Sequence, residues 1–408
     1  MEPSDRPRWR ARIARRVHGL AVGADDAIDA AMRRLDARLG LRHPRHIAAY
    51  RGYADERGVE LEGRVLANRP LGGPEERDDW WDNLLNTYRR FDSAEVAGAH
   101  LMVQFGDAVA RAESDHEGYY QLHLPPQPAR DDALWTQARV ALADGTLETQ
   151  QPVLQVLPRA RIGILSDIDD TILESSITHW KTAAQLTFLH NARTRKPLPG
   201  VAKLYAALQA GADHAGCHPL FYVSSSPWNL YDLLEDFLEL NAIPPGPMFL
   251  RDFGLDTGKF ISTPGHGHKL ERARALIARM PQLRWVLLGD SGQADAELYA
   301  EAAREFGDRI AAIYIRDVDP GSDTALDRGV DAWIERVAGT RVPMLRAADS
   351  LAIATHAAGI GLLDPATLPA IAAEVQRDLQ RPSLAEAALE GVEAHAPDPA
   401  SKDAGPPA

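Results

Sequence analysis

The chain has 408 residues, of which 45% are hydrophobic and 25% charged, and its formal net charge is −13. This length and composition predict a soluble protein of two domains, because globular domains usually contain about 100–200 residues. The acidic balance argues against nucleic-acid binding, which needs a basic surface. Cys217 is the single cysteine, so no intrachain disulfide can form, which fits a reducing compartment.

Residues 1–44 are predicted to form an arginine-rich amphipathic helical segment. Trp9, Ile13, Val17 and Leu20 follow one another at spacings of four, four and three residues, which places them on one helix face. This helix could lie on an anionic membrane surface, or it could pack against the protein's own body with its arginines in water. No stretch of the chain reaches the roughly 20 apolar residues that span a bilayer, so we expect no transmembrane segment.

Residues 45–158 are predicted to form an antiparallel β-sandwich accessory domain, because short apolar runs alternate there with Gly, Pro and Asp turns. The predicted strands are Val59–Leu66, Val96–Phe105, Tyr119–Leu124, Trp135–Leu142 and Val153–Leu157. The insertion Leu71–Arg90, which contains Trp80 and Trp81, is interpreted as a long loop with a helical turn.

Residues 159–340 alternate apolar strands with amphipathic helices, a pattern typical of a parallel α/β sheet with flanking helices. The predicted strands are Arg161–Ser166, Pro219–Ser224, Trp285–Gly289 and Ile310–Ile315, and the predicted helices are Asn229–Leu240, Lys269–Met280 and Asp295–Phe306. Further helices are expected in 341–381. Residues 382–408, rich in Pro, Ala and acidic residues, are expected to be a disordered tail.

The residues that point to chemistry begin at the end of the first of these strands. An apolar run ends there in Asp167-Ile-Asp169-Asp-Thr171. Ligands of open α/β sheets bind beyond the carboxyl ends of the strands, so a reactive site is expected at this point. Two carboxylates two residues apart can divide the work, since one can attack a phosphorus atom while the other handles the proton of the leaving group.

Later strands and helices supply what such a site still needs. The second strand ends at Ser224, whose hydroxyl could donate to a phosphoryl oxygen, and Lys269 opens a helix where it could neutralise phosphate charge. A third strand ends at Asp290, with Asp295 five residues further on. Phosphoryl transfer depends mainly on positioning and positive charge. Mg²⁺ prefers carboxylate, phosphate and water oxygens, so Asp167 and Asp290 are candidate metal ligands.

This ordered set of motifs resembles the haloacid dehalogenase superfamily over about residues 159–320. Its individual motifs are similar to those of the actin-patch type of phosphatidate phosphatase, a relative of the lipins. The segments that carry this resemblance are Ser166-Asp-Ile-Asp-Asp-Thr-Ile172, Tyr222-Val-Ser-Ser-Ser-Pro-Trp228, the His268–Lys269 helix start and Gly289-Asp-Ser-Gly-Gln-Ala-Asp295. The resemblance implies a haloacid-dehalogenase-like fold and phosphatidate as substrate, with diacylglycerol released.

The resemblance also implies a role for each motif residue. Asp167 becomes the nucleophile and Asp169 the acid and base. Thr171, later in the same motif, is separately expected to orient the loop. The other implied roles fall to two groups. Ser224, Ser225 and Lys269 are expected to bind the substrate phosphate, and Asp167, Asp169, Asp290 and Asp295 are expected to surround Mg²⁺.

The intervals between the motifs leave little chain for a large cap over the site. An open site suits a substrate that a membrane presents, so we expect a cytoplasmic protein that docks peripherally on a phospholipid surface. Two alternatives stay open. The chain could be a phosphomonoesterase of the same superfamily with a soluble or protein-bound substrate, or a module that binds phosphatidate without hydrolysing it; the two aspartates of the first motif favour an enzyme.

Overall fold

The computed structural model describes residues 45–67, 94–128, 133–172, 197–214, 217–251, 267–321 and 324–380. The predicted arginine-rich helix of 1–44, the Leu71–Arg90 insertion and the predicted tail of 382–408 therefore lie outside the described residues. The described chain forms two sheets, one of nine strands and one of six, and seven helices accompany the second sheet within these ranges.

The first sheet, sheet A, contains the strands of the N-terminal part of the chain. They are β1 (Arg45–Ala49), β2 (Gly52–Asp55), β3 (Gly58–Ala67), β4 (Ala94–Glu95), β5 (His100–Phe105), β6 (Ala108–Glu113), β7 (Tyr119–Leu124), β8 (Trp135–Leu142) and β9 (Glu148–Gln155). Their backbone order is β1-β3-β2-β9-β8-β5-β6, and β4 and β7 also pair with β3. All strand pairs are antiparallel except β2 with β9.

The expected strands of this region are confirmed, with some different bounds. Strands β7 and β8 have the predicted limits. The predicted strand Val96–Phe105 begins only at His100, because the chain turns at Gly98, whose φ of 67° is in the left-handed region that glycine adopts without strain. Strand β9 begins at Glu148 instead of Val153, since backbone pairing with β8 also carries polar residues.

Sheet A has its own apolar core, formed by alternate residues of its strands. Leu61, Val65, Leu101 and Val140 are fully buried members of this cluster. All nine strands are joined by hydrogen bonds into one sheet, and a packing of two separate sheets, as in a sandwich, remains a prediction.

The second sheet, sheet B, is entirely parallel and has the order β12-β11-β10-β13-β14-β15. Its strands are β10 (Ile162–Asp167), β11 (Leu220–Pro227), β12 (Met248–Arg251), β13 (Arg284–Asp290), β14 (Ile310–Arg316) and β15 (Met344–Ala347). The helices are α1 (Val201–Ala210), α2 (Tyr231–Leu240), α3 (Gly267–Arg279), α4 (Asp295–Phe306), α5 (Ala325–Val337), α6 (Ser350–Gly359) and α7 (Leu368–Gln380). The predicted parallel α/β sheet is confirmed, with β12 and β15 as additional edge strands.

Helices cover both faces of sheet B. Strand side chains alternate between the two sides, so Ile164 joins one core and Leu165 the other. Helices α1, α2, α6 and α7 contribute to the first core, and α3, α4 and α5 contribute to the second. Strand β10 lies in the middle of the sheet. Strands β11 and β12 follow on one side of it, and the chain then crosses over to add β13, β14 and β15 on the other side.

Sheet A packs against the β12 edge of sheet B and reaches around both of its faces. Tyr50, just before β2, belongs to the first core of sheet B. Tyr53, three residues later, packs on Phe221 and Phe249 of the second core, with ring centroids 5.5 and 6.2 Å away. The short segment between these two tyrosines thus joins the sheets.

Candidate active site

The site lies at the carboxyl end of β10, between β11 and β13. Parallel strands have their carboxyl ends on one edge of the sheet. A crevice forms at that edge where the strand order reverses, that is, at the topological switch point. Asp167 is the last residue of β10, the serine segment (Ser224–Ser226) lies near the end of β11, and Asp290 ends β13. The topology therefore brings the motifs of Asp167, Ser224 and Asp290 next to one another, as the sequence predicted.

Lys269 is the centre of an ion-pair cluster at this edge. Its Nζ lies 2.8 Å from Oδ1 of Asp167 and 2.8 Å from Oδ1 of Asp295. It also donates to Oε1 of Gln293 at 3.1 Å. All three charged side chains are fully buried. A lysine in the first turn of a helix opposes the helix dipole, so the carboxylates must hold it there.

Burial raises the pKa of Asp167 well above its usual range, Lys269 opposes this shift, and Asp295 and Asp290 add to it. Burial likewise raises the pKa of Asp290, and the neighbouring Asp295 adds to the rise. Burial alone would lower the pKa of Lys269, but Asp167 and Asp295 outweigh it and raise that pKa above its ordinary value. Negative charge at this edge therefore exceeds what one lysine neutralises.

Asp169 faces a different set of partners. Its Oδ2 accepts a hydrogen bond from Ser224 Oγ at 2.7 Å and a longer one from Ser226 Oγ at 3.3 Å. The next residue, Asp170, has a φ of 57°, so the chain turns sharply after Asp169. The carboxylates of Asp169 and Asp167 thus have different polar partners, and the two can serve different steps.

Three acidic residues at this edge lie close enough together to hold a divalent cation. One carboxylate oxygen from each of Asp167, Asp290 and Asp295 can be chosen so that all lie within 4.8 Å of one another, and all three residues are buried. Oδ2 of Asp290 has no hydrogen-bond partner among the described residues. Hard oxygen donors around an excess of negative charge fit Mg²⁺. Asp169, a fourth predicted ligand, is outside this group.

Both oxygens of Asp295 already have partners. Oδ1 faces Lys269, and Oδ2 accepts from the backbone N–H of Asp290 at 3.3 Å. The backbone of Gly289 passes so close that a Cβ there would lie 2.6 Å from Asp295 Cβ. Asp295 thus packs tightly against the backbone of Gly289, and only glycine at position 289 leaves room for it.

The remaining predicted residues also lie at this edge. Thr171 is buried, and its Oγ1 is 3.5 Å from Oδ2 of Asp167, a long contact. Ser225 is partly buried between the two serines that bind Asp169. The structure therefore brings all predicted site residues to one edge.

Two polar residues of the site were not predicted. Ser226 and Ser224 both donate hydrogen bonds to the carboxylate of Asp169. The sequence could have indicated this, because residues two apart in a strand face the same side. Gln293 links two motifs, since its Nε2 donates to the carbonyl of Asp169 at 3.3 Å while its Oε1 accepts from Lys269. No sequence pattern pointed to Gln293.

The part of the chain that forms this site is similar to known proteins. Residues 162–317 match the family model "Phosphatidate phosphatase APP1, catalytic domain". The chain is 34% identical over 156 residues to "Phosphatidate phosphatase APP1" of Saccharomyces cerevisiae, covering 38% of this chain and 26% of that protein. It is 30% identical over 176 residues to an uncharacterized protein of Schizosaccharomyces pombe, covering 43% of this chain and 28% of the relative. The chain thus spans just over a quarter of the length of each.

A carbohydrate acetylesterase from Xanthomonas citri aligns with 72% of this chain and 65% of its own, at 11% identity and a TM-score of 0.27. A likeness of that level carries no argument about fold or function. The family match instead coincides with the residues that form the buried cluster. Residues 162–317 of this chain are therefore similar to the catalytic domain of phosphatidate phosphatase APP1.

Proposed function

We propose that this protein is a Mg²⁺-dependent phosphatidate phosphatase that forms an aspartyl-phosphate on Asp167. The observation that carries the proposal is the division of the two aspartates at the end of β10. Asp167 lies against Lys269 and the other buried carboxylates, while Asp169 is held by two serine hydroxyls. These different surroundings support attack by Asp167 and proton transfer by Asp169.

In the first step, an oxygen of Asp167 attacks the phosphorus atom, and the bond between phosphorus and the glycerol oxygen breaks. Asp169, in its protonated form, gives its proton to the departing oxygen. Lys269 and the hydroxyls of Ser224 and Ser225 neutralise or bind the phosphoryl oxygens. Positioned charge of this kind is the main source of rate enhancement in phosphoryl transfer.

In the second step, Asp169 accepts a proton from a water molecule that attacks the same phosphorus atom. The bond between phosphorus and Asp167 then breaks, and inorganic phosphate leaves. Asp169 ends protonated and Asp167 ionised, as they began. Thr171 lies beside Asp167 and orients the end of β10 through both steps.

Asp167 and Asp290 would hold Mg²⁺, with Asp295 and the turn at Asp169 close by. The ion would supply positive charge for the phosphoryl oxygens. The buried cluster needs such charge for a second reason. Burial favours the protonated form of Asp167, yet a nucleophile must be ionised, and Lys269 opposes only part of this effect.

Support for a lipid substrate comes from the family match and from the yeast relative, whose name states phosphatidate phosphatase activity. No helix among the described residues is long and apolar enough to cross a bilayer. We propose a cytoplasmic protein that reaches phosphatidate by peripheral docking on a membrane. The second candidate function is that of a phosphomonoesterase of the same superfamily, with a soluble or protein-bound phosphate ester as substrate. It is kept because the family match covers only residues 162–317 and leaves the rest of the chain uncovered.

The test is phosphate release from phosphatidate in mixed micelles, with Mg²⁺ or with a chelator, compared with release from small sugar phosphates. We expect Mg²⁺-dependent release that is much faster with phosphatidate and that Asp167→Asn abolishes. Faster hydrolysis of sugar phosphates would reject the lipid substrate and retain the phosphatase. Binding of phosphatidate vesicles with no release from any ester would favour a binding module.

A further inference from the structure

The serine segment is the least regular part of sheet B. The pairing of β11 with β12 shifts register between Val223 and Pro227, so the ladder does not fix the residues between them. On one side, Nε2 of His268 donates to the carbonyl of Ser224 at 3.0 Å. The position of these hydroxyls must also depend on what holds the other end of the segment.

That other end is held by sheet A. Pro227, with φ −72°, links the serine segment rigidly to Trp228. The Trp228 ring stacks on Tyr50, with centroids 4.8 Å apart and planes at 18°. The ring centroid of Tyr50 also lies 4.3 Å from that of Tyr231, and Tyr50 is only 6% exposed. Aromatic pairs of this geometry stabilise a contact beyond their buried area.

The residue after Tyr50 strengthens the same junction. The backbone N–H of Arg51 donates to the hydroxyl of Tyr231 at 2.8 Å. Its guanidinium Nε lies 2.7 and 2.9 Å from the two carboxylate oxygens of Glu235 on α2. Charge-assisted bonds to both oxygens of one carboxylate fix orientation as well as distance.

Tyr50 is itself anchored in sheet A by both of its backbone polar groups. Its N–H donates to the carbonyl of Glu62 at 3.1 Å, and its own carbonyl accepts from Nε2 of Gln151 at 2.6 Å. Two residues on, a Cβ at Gly52 would lie 2.5 Å from the carbonyl oxygen of Glu60, so the segment is pressed against β3. The ring of Tyr50 is therefore presented by a fixed backbone.

We propose that Tyr50 is a positioning residue through which sheet A sets the serine segment of the active site. The proposal rests on the proposed function, because it concerns the hydroxyls that hold Asp169 and bind phosphate. It assigns sheet A a part in catalysis: the stack on Trp228 fixes the carboxyl end of β11, and this keeps Ser224 and Ser226 within reach of Asp169.

The test compares three variants of the full chain. Tyr50→Leu keeps an apolar side chain but removes the stack, Tyr50→Phe keeps the ring, and Tyr53→Leu is the matched control. Tyr53 joins the same two sheets but packs on the opposite face of sheet B, against Phe221 and Phe249. It therefore reports the effect of weaker docking without loss of the Trp228 contact.

We expect Tyr50→Leu to lower kcat on an aryl phosphate by about 10–100-fold, the size of effect that small misplacement produces. Binding of inorganic phosphate, measured by inhibition and by thermal shift, should weaken in the same variant. The rise in Tm on adding Mg²⁺ should be unchanged, since its ligands lie on β10, β13 and α4. Tyr50→Phe and Tyr53→Leu should retain kcat and phosphate binding close to wild type.

Equal losses of kcat in Tyr50→Leu and Tyr53→Leu would overturn the proposal, because sheet A would then act only by docking. Unchanged phosphate binding in Tyr50→Leu would overturn it as well. If that variant does not fold, Trp228→Leu removes the stack from the other side with the same expectations. A wild type that hydrolyses no phosphate ester would reject the proposed function, while the thermal shift with inorganic phosphate would still test the role of Tyr50.

Discussion

Asp167 and Asp169 are two residues apart, and the environment of each carboxylate determines its role. Asp167 is buried beside Lys269 and two further aspartates, whereas Asp169 accepts hydrogen bonds from serines on the neighbouring strand. Asp170, the residue after Asp169, adopts a left-handed backbone conformation with φ 57°. Aspartate tolerates that backbone region better than most residues, because its short side chain can form local hydrogen bonds.

The first prediction concerns Asp169 and separates the two chemical steps. With p-nitrophenyl phosphate the leaving group needs no proton, so Asp169→Asn should still form the aspartyl-phosphate and release a burst of nitrophenol. The steady-state rate of turnover should fall by about 10²–10⁴-fold, because the attacking water then lacks its general base. Rapid-mixing absorbance measures both phases. Loss of the burst together with the steady state would show that Asp169 is needed for the first step as well.

The second prediction concerns Asp290 and the metal. Asp290→Asn removes one of the buried negative charges, so it should stabilise the metal-free protein by about 0.5–2 kcal/mol at pH 7–8. We expect Mg²⁺ to raise the Tm of the wild type, and the same variant should lose this rise. Thermal unfolding with Mg²⁺ and with a chelator measures both effects. A less stable metal-free variant would mean that Asp290 makes a net favourable contribution without a cation.

The third prediction follows from the raised pKa values of Asp167 and Asp290. The folded state holds their protons to higher pH than the unfolded state does, so the contribution of these two groups to stability without metal is fully present below the ordinary carboxyl pKa of about 4. It should fall as pH rises through the raised values. Mg²⁺ competes with these protons, so its effect on Tm should grow over the same range. A metal effect that is independent of pH between 5 and 8 would contradict this account.

At the residue scale, the sequence predicted every carboxylate and the lysine of the cluster, because each follows an apolar strand or opens a helix. It did not predict Gln293, whose two hydrogen bonds depend on how the turn after β13 folds over β10. A lone glutamine in a turn has no spacing that distinguishes it from a solvent-exposed one.

At the scale of elements, the turn from β13 into α4 decides the position of Asp295. The turn brings the backbone of Gly289 against the Asp295 side chain, which then reaches both Lys269 and the N–H of Asp290. Asp295 is also the first residue of α4, where the helix dipole favours a carboxylate. The element thus combines close packing with favourable electrostatics.

The fourth prediction tests this turn. Gly289→Ala places a methyl group 2.6 Å from Asp295 Cβ, so it should destabilise the protein by about 1–3 kcal/mol and strongly reduce turnover. Gly329→Ala, in the exposed part of α5 with no atom within 4 Å of the added Cβ, is the control. It should be neutral or stabilising by about 0.5–1 kcal/mol. Chemical denaturation and phosphate release measure the two variants, and an active Gly289→Ala would reject the packing argument.

The strands and helices of sheet B were the most predictable elements, since continuous apolar runs and helical spacing both indicated them. Strands β12 and β15 were missed because each has four residues and lies at an edge, where little apolar pattern is needed. In sheet A, the polar first half of β9 gave no apolar alternation, yet it pairs with β8 throughout.

At the scale of the whole molecule, sheet A and sheet B are joined by buried charge as well as by aromatic rings. Arg279, the last residue of α3, binds Asp55 and Glu60 of sheet A. The side chain of Asp55 is only 2% exposed. A buried carboxylate that loses its cation is costly, so this pair should couple the stability of the two sheets.

The fifth prediction measures that coupling. Arg279→Met should lower the free energy of unfolding by about 2–4 kcal/mol, because Asp55 stays buried without its cation. Arg274→Met, on the same helix but in exposed ion pairs with Glu301 and Glu305, should cost no more than about 1 kcal/mol. Denaturant unfolding followed by fluorescence and circular dichroism compares them. Equal effects would show that burial of Asp55 has no part in joining the sheets.

The sequence predicted two structured regions in the right order, but not how they meet. Tyr50 and Tyr53 are three residues apart and enter opposite cores of sheet B, an arrangement that depends on the β12 edge lying between them. Neither residue differs by type or spacing from an ordinary strand aromatic. Contacts between distant parts of the chain carry no local signal, so they could only be seen in the fold.

The central claim is that Asp167 forms a covalent bond to the phosphorus of phosphatidate. The most direct measurement is acid quenching of the enzyme during turnover of phosphatidate in Mg²⁺-containing mixed micelles, followed by mass spectrometry of its peptides. The account predicts one phosphoryl group on the peptide that contains Asp167, and none in Asp167→Asn. Phosphate release from phosphatidate that persists in Asp167→Asn, or a phosphoryl group on another residue, would contradict it.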